Sequence, residues 1–246
     1  MSYLSTFIPI PTRQVASVSC ALVLAMLAPA VVSGQPAYIS RYNAFVGYTY
    51  LNSSKIGLSE PGFHIQVGVR PKTWYGMGFD FSRSSGDMTL KASLLPNALQ
   101  QQLGAQMAQL AAAGLLPPGY QLSVTTHSVT ETFAGGPQLQ YNRWARVIPF
   151  IRPSLGAIHE KATPKAADPI TTAVIHQLAP AGKKTDWQGF YGVGGGFDLN
   201  ATKHLALRIQ ADFVYDHLFN DILKDGRGTI RFSVGPTFNF GRNISQ

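Results

Sequence analysis

The sequence predicts an all-β protein, an eight-stranded antiparallel transmembrane up-and-down β-barrel with a helical insertion in its second extracellular loop. Segments of about ten residues in which apolar and polar side chains alternate recur along the chain, as in strands with one apolar and one polar face. The first residues are typical of an export signal. Beyond them, no apolar run reaches the roughly 20 residues that a membrane-spanning helix needs. If the chain crosses a membrane, we expect it to do so with strands.

Two regions are predicted, a signal peptide at 1–34 and a barrel domain at 35–246. Arg13 is the only basic side chain of the first region, Val15–Leu27 is an apolar run, and small residues offer a cleavage site near Gly34. A retained membrane anchor is the alternative. Cys20, the only cysteine, lies in this region, so the predicted mature chain has no disulfide and no cysteine-based metal site.

The predicted mature chain is basic, with 19 basic and 12 acidic side chains once Arg13 is removed, a net charge of +7. Such a charge suits anionic lipid headgroups or nucleic acid, and export argues against nucleic acid. The histidines lack metal-ligand spacing. We therefore expect no cofactor, no metal site and no nucleic-acid partner.

The first four strands begin after the signal region. In the second of them, apolar residues alternate with polar or small ones without exception. The predicted strands are Tyr42–Leu51, Phe63–Arg70, Trp74–Ser82 and Phe133–Tyr141.

The last four strands include the clearest alternation of the chain. Pro149 and Pro153 both fall in the fifth strand, which would need a bulge or a local irregularity because proline cannot donate to the ladder. The predicted strands are Val147–His159, Phe190–Asn200, Leu205–Tyr215 and Ile230–Phe240.

The connections are predicted to alternate in length. Short turns near Pro71, Arg143 and Ala201 follow strands two, four and six, and longer loops follow strands one, three, five and seven. A chain that starts in the periplasm would place every short turn on the periplasmic side and every long loop outside.

This arrangement resembles the OmpA-like family of eight-stranded outer-membrane barrels over nearly all of Tyr42–Phe240. The resemblance is carried by Phe45–Tyr50 (FVGYTY), Gly135–Gln138 (GGPQ) and Ile230–Gly235 (IRFSVG). It implies a monomer in the bacterial outer membrane, in contact with outer-membrane lipid and lipopolysaccharide. It also implies recognition of a terminal aromatic residue by the barrel-insertion machinery, a role that Phe240 matches in type. A peptidoglycan-binding domain is not expected.

The alternation divides the strand residues between lipid and lumen. The side chains predicted to face lipid are Phe63, Ile65, Val67, Tyr75, Phe79, Leu207, Ile209, Phe213, Phe232, Val234 and Phe238. Charged residues of the opposite parity predict an ionic network in the lumen, formed by His64, Arg70, Asp80, Arg152, Asp198, Arg208, Asp212 and Arg231.

The hairpin turns predict which of these charges meet. A turn centred on Lys72 would place His64 opposite Asp80, and one near Lys203 would bring Asp198 toward Arg208. Asp212 and Arg231 should be neighbours because both lie in the outer half of adjacent strands. The alternative is that each charge is separately solvated in a wet pore.

Two loops carry features of their own. Ser93–Leu116 has leucines and Met107 at helical spacing, which fits a lid, a surface for a partner, or a helix packed on the barrel rim. The loop Glu160–Trp187 is rich in lysine, and it either contacts lipopolysaccharide phosphates or is merely solvated.

Catalytic motifs are weak. Some eight-stranded barrels are lipid A-modifying hydrolases, and His127, Ser128 and Glu131 invite that comparison. Neighbouring strand residues point to opposite faces, so His127 and Ser128 cannot form a base and nucleophile pair without a bulge. The glycines of Gly192–Gly196 lack the helix and lysine of a phosphate loop and fit a crowded lumen better.

No catalytic site is therefore predicted. The leading function is a structural, adhesive or loop-mediated binding role in the outer membrane. The alternatives are a narrow porin-like channel, a lipid hydrolase and a soluble lipocalin-like carrier.

Overall fold

The computed structural model describes residues 38–117, 119–144, 146–223 and 225–244, so the predicted signal peptide and its cleavage site lie outside the described residues. Eight strands form one closed antiparallel barrel in which each strand pairs with the next and the last pairs with the first. The predicted fold class is confirmed.

The strands are longer than the predicted ten residues, at 12 to 19 residues each. Side chains of alternating burial continue past the apolar band toward the long loops. The strands are β1 Ser40–Ser53, β2 Leu58–Val69, β3 Tyr75–Lys91, β4 Ser123–Gln140, β5 Val147–Lys165, β6 Lys184–Asn200, β7 Leu205–Asp216 and β8 Arg227–Asn243.

The two ends of the barrel differ. We call the end with the connections after β2, β4 and β6 the turn rim, and the opposite end the loop rim. The predicted long loop after strand one is wrong, because only residues 54–57 separate β1 from β2, and Gly57 closes this turn at a φ of 61°. The connections after β3, β5 and β7 are the long ones.

Two helices lie at the loop rim. Helix α1, Asn97–Ala112, lies inside the predicted helical insertion. Helix α2, Pro169–Leu178, lies in the segment for which the sequence predicts only a lysine-rich loop. Asp168 caps α2 by accepting hydrogen bonds from the backbone N–H groups of Ile170 and Thr171 at 2.9 and 2.8 Å. No helix among the described residues is long and apolar enough to cross a membrane.

The apolar stripe of α1 packs against other loop-rim elements. Leu103 is buried with Leu95 and Val174, and partly buried apolar side chains from α2 and the β7–β8 loop join them. This contact agrees with the predicted alternative in which the helix packs on the barrel rim. The two helices and the β7–β8 loop together form what we call the cap; the apolar residues of this loop are Leu218, Phe219, Ile222 and Leu223.

The prolines of the fifth strand interrupt one ladder without shifting it. The β4–β5 pairs stop at Gly135 and Leu155 and resume in the same register at Leu139 and Ile151. Pro137 and Pro153 face each other within this gap, so the predicted irregularity is a missing stretch of pairing and not a bulge.

One predicted register is wrong. In the β2–β3 hairpin, His64 lies opposite Ser82, and Asp80 lies opposite Gln66. The turn is centred on Thr73 instead of Lys72, which moves every pair by two residues and keeps the inward parity.

Candidate functional site

A buried cluster of two arginines and two aspartates crosses the middle of the lumen. Asp212 and Arg231 face each other on β7 and β8, and Arg231 donates from Nε and Nη2 to Asp212 Oδ2 at 3.0 and 2.9 Å. Its Nη2 also contacts Asp80 Oδ1 at 3.2 Å, and Arg152 Nη2 approaches Asp80 Oδ2 to 2.7 Å from β5. We call these four residues the central cluster. Each cation has a carboxylate partner, as buried charges require.

Neutral side chains complete the central cluster. Arg231 Nη1 donates to Ser82 Oγ and Thr132 Oγ1, both at 3.0 Å. His64 lies 2.9 Å from Ser233 Oγ through Nδ1 and 3.4 Å from Asp80 Oδ1 through Nε2. His64 and Asp80 thus meet diagonally, although they are not direct cross-strand partners.

A second buried cluster lies toward the turn rim. Arg208 and Asp198 face each other on β6 and β7 and form a bidentate pair, with both N···O distances at 2.7 Å. Arg70 Nη2 lies 3.8 Å from Asp198 Oδ2. The Arg208 guanidinium also lies over the ring of Phe150, 4.6 Å from its centre. All eight side chains predicted for the lumen are buried.

A third cluster, toward the loop rim, was missed by the sequence analysis. Arg227 Nη2 contacts Glu160 Oε2 at 2.7 Å, and its Nε contacts Asp216 Oδ2 at 3.3 Å. Glu60 is fully buried and interacts electrostatically with Glu160 and Arg227. Parity could have revealed this cluster, since Glu60, Asp216 and Arg227 each lie four strand positions from a residue of the predicted network.

Small residues in the lumen leave space for the charged side chains. A Cβ on Gly194 would lie 1.8 Å from Asp212 Oδ1, so only glycine leaves room for this carboxylate. Nearer the loop rim, Leu218, Phe219 and Leu223 join an apolar core with Met88 and Ile158. Charged and apolar layers therefore fill the barrel one after the other.

The outer wall is apolar between its two ends. Phe79 is 70% exposed and Val67 is 54% exposed, and the other residues predicted to face lipid lie on the same wall, with Tyr75 only partly exposed. Phe240 is exposed and stacks on Tyr42 at 5.7 Å. Toward the loop rim the apolar surface ends at Glu131, which contacts Arg83 Nη1 and His159 Nδ1, both at 3.3 Å.

The structure does not bring together His127, Ser128 and Glu131, the three residues that invited comparison with hydrolases. Ser128 is buried on the inner face and donates to Glu160 Oε1 at 2.9 Å, whereas His127 lies on the outer face. Glu131 is occupied by Arg83 and His159. His127 contacts two side chains of β3 instead, Ser85 and Asp87.

A partly open apolar cavity of about 70 Å³ lies between the cap and the loop-rim ends of β3, β4 and β5. Met88, Leu95, Val174, Leu178 and Phe219 are among the side chains that line it. Lysines of both flanking strands, Lys91 and Lys184, complete the lining, and Lys184 forms an ion pair with Asp221.

The described residues contain no group of three or more His, Cys, Asp or Glu side chains arranged to hold a metal ion. In the lysine-rich β5–β6 segment, Lys165 forms an ion pair with Asp87 at 3.1 Å.

No family model matches the chain, and no curated protein matches it. Similar solved structures include Ail, the attachment invasion locus protein of Yersinia pestis, at 13% identity over 83% of this chain and 99% of Ail, with a TM-score of 0.44. Neisserial surface protein A is 12% identical over 81% of this chain and 96% of its own, with a TM-score of 0.44. The outer membrane protein OprG of Pseudomonas aeruginosa is 7% identical over 85% of this chain and 100% of its own, with a TM-score of 0.45. The closed barrel of eight strands in this chain has the architecture that the resemblance in sequence implies.

Proposed function

We propose that the protein is a monomeric, non-conducting barrel of the bacterial outer membrane that binds a small apolar ligand in its cap. The observation that carries this proposal is the contrast between a lumen closed by paired charges and an apolar cavity beside the loop rim. Signal-peptide cleavage near Gly34 would precede insertion, and Phe240 would be read by the barrel-insertion machinery.

The outer wall supports a membrane location. Large side chains such as Phe79, Ile209 and Phe232 are 70%, 45% and 53% exposed, around a barrel whose interior is charged. In water such a surface would far exceed the apolar patches of ordinary soluble proteins. Lipid and lipopolysaccharide acyl chains would cover it, with the loop rim facing outward.

The filled lumen argues against the channel alternative. Every arginine of the central cluster has a carboxylate within 3.2 Å, and the apolar core at the loop rim lies in series with this cluster. An eight-stranded barrel of this kind has its interior filled by side chains. Ion flow would require breaking buried ion pairs.

Planar-bilayer recordings test the closed lumen. We expect no steady conductance from the wild-type protein and measurable openings from the Arg231→Gln variant, in which the two aspartates lose their shared partner. Lys55→Gln at the loop rim is the control and should stay silent. Regular conductance steps from the wild type would contradict the proposal and favour the channel.

The cap is the part of the molecule suited to binding. Its cavity is almost purely apolar and too small for more than a short hydrocarbon group, so a compact apolar molecule is the ligand class it fits. Xenon titration followed by methyl NMR should perturb Leu95, Val174 and Leu178. The Val174→Phe variant, which fills the cavity, should lose these shifts, and equal shifts in both proteins would refute the binding site.

A further inference from the structure

A second site lies on the outer wall beyond the apolar surface, where β3 and β4 extend toward the loop rim. Asp87 is the direct cross-strand partner of His127, and Ser85 lies two residues along the same face of β3. His127 Nδ1 is 2.9 Å from Asp87 Oδ1, and its Nε2 is 3.2 Å from Ser85 Oγ. One imidazole therefore joins a carboxylate to a hydroxyl through its two nitrogens.

The proton positions follow from the chemistry of the three groups. An ionised carboxylate only accepts hydrogen bonds, so Nδ1 of a neutral His127 carries the proton and donates it to Asp87. Nε2 is then an acceptor and faces the Ser85 hydroxyl. The hydrogen bond from His127, followed by that from Lys165, lowers the pKa of Asp87, which keeps it ionised. This is the acid, base and nucleophile order of a serine hydrolase.

All three side chains can be reached from outside. The His127 and Asp87 side chains are 42% and 53% exposed, and Ser85 is partly exposed. The site differs from the trio that the sequence suggested, because Ser128 points into the barrel. Asp87 and His127 are neighbours across two strands, and the residue pattern of one strand does not reveal which residue of the next strand lies opposite.

The surface next to this site fits an acylated lipid. Phe81 forms an aromatic patch with Phe63 and Phe133, with ring centres 5.8 and 5.0 Å away. Ser85 lies four positions beyond Phe81, which is about 13 Å along the strand and about 10 Å along the normal of a membrane crossed by tilted strands. An acyl chain on the aromatic patch would thus place its ester near Ser85, with the exposed cation of Arg83 between them.

We propose that Ser85, His127 and Asp87 form a hydrolytic triad that cleaves carboxylic esters of acylated lipids in the outer leaflet. Ser85 Oγ attacks the ester carbonyl carbon while its proton passes to His127 Nε2. Arg83, on the same face of β3 and paired with Glu131 through Nη1, turns to the oxyanion as it forms and stabilises it. The intermediate collapses, the alkoxide leaves with the proton from His127, and an acyl-Ser85 ester remains. Water then attacks this ester, giving its proton to His127, and the fatty acid departs as Ser85 regains its hydrogen.

The lipid substrate rests on the proposed membrane orientation, whereas the triad does not. The test therefore uses two substrates on the purified full chain. One is p-nitrophenyl octanoate in detergent, which needs no orientation. The other is vesicles of phosphatidylethanolamine and lipopolysaccharide, with released fatty acid measured by mass spectrometry. A fluorophosphonate probe reports covalent modification of Ser85 directly.

Matched variants separate catalysis from folding. Ser85→Ala and His127→Gln should each lower hydrolysis at least 100-fold while retaining heat-modifiable migration on gels. Ser59→Ala, an outer-wall serine directly opposite Asp87 on β2, should keep full activity and probe labelling. The fluorophosphonate should label the wild type at Ser85 and leave Ser85→Ala unlabelled.

The outcomes are distinct. Hydrolysis of both substrates that depends on Ser85 supports the proposal. Cleavage of the soluble ester alone keeps the triad and overturns the lipid substrate. Absence of labelling and of Ser85-dependent hydrolysis with both substrates overturns the triad, and leaves the proposed cap-binding function to its own tests.

Discussion

The pair of Asp212 and Arg231 should be coupled energetically, and a double-mutant cycle measures this coupling. Arg231 makes two hydrogen bonds to Asp212, one to Asp80 and one each to Ser82 and Thr132. Arg231→Gln leaves two buried aspartates with Arg152 as their only cation in the central cluster. Breaking a buried pair in this way costs about 3 to 5 kcal/mol.

The partner variant should cost less. In Asp212→Asn, Arg231 keeps Asp80, but the amide of Gln210, which donates to both Asp212 oxygens at 2.9 and 2.8 Å, has a weaker acceptor. Replacing a charged hydrogen-bond partner by a neutral one costs about 1.5 to 3 kcal/mol. The double variant removes both charges, so we expect its free energy of unfolding to exceed the additive value by about 1 to 3 kcal/mol.

Urea unfolding in lipid vesicles, followed by tryptophan fluorescence, gives the four free energies of the cycle. Asp212→Asn combined with Arg208→Gln is the control, because Arg208 belongs to the cluster of Asp198. This pair should be additive within about 0.5 kcal/mol. If the Asp212 and Arg231 variants are also additive, the two residues are not coupled and their pairing does not help to close the lumen.

Three further predictions follow from the outer wall and the cap. Ile209→Arg should lower the free energy of folding into lipid vesicles by about 2 to 4 kcal/mol, and wild-type folding of this variant would show that the residue does not face lipid. Replacing Ser93–Leu116 by a short Gly/Ser linker should leave an inserted, heat-modifiable barrel, because surface loops change length at small entropic cost, and failure to insert would contradict this. The hydrogen bond from the Thr171 backbone lowers the pKa of Asp168, so its stabilisation of α2 is complete above the unfolded value of about 3.9 and is lost as pH falls through the lower folded value. The protection factors of the Ile170 and Thr171 amides, which correct exchange rates for their intrinsic pH dependence, should fall at that acidic pH in the wild type and should be low at every pH in Asp168→Ala.

The fold could be predicted because side-chain alternation depends only on local parity. That parity placed Asp198 and Asp212 inside and Phe79 outside without knowledge of any partner strand. Register is harder, since it depends on the centre of each turn. An error of one residue in the β2–β3 turn moved the predicted partner of His64 from Ser82 to Asp80.

The loop-rim part of the molecule could not be predicted in the same way. Outward residues such as Arg83 and Glu131 are polar there, so the contrast between the two faces disappears and the predicted strands end before the observed ones. Glu60 and Arg227 were therefore assigned to loops. Helix α2 is only ten residues long, and Asp168 can be recognised as its N-cap only once the preceding strand is known to end at Lys165.

The facing prolines of β4 and β5 make one part of the wall mechanically soft. A Cβ on Gly136 would lie 2.1 Å from the carbonyl oxygen of Pro153, so the two strands approach each other closely where their ladder is interrupted. Proline cannot donate a cross-strand hydrogen bond, so along this seam the resistance to separation rests more on side-chain packing. Any residue larger than glycine at position 136 would act as a wedge, and the barrel would begin to part at this seam.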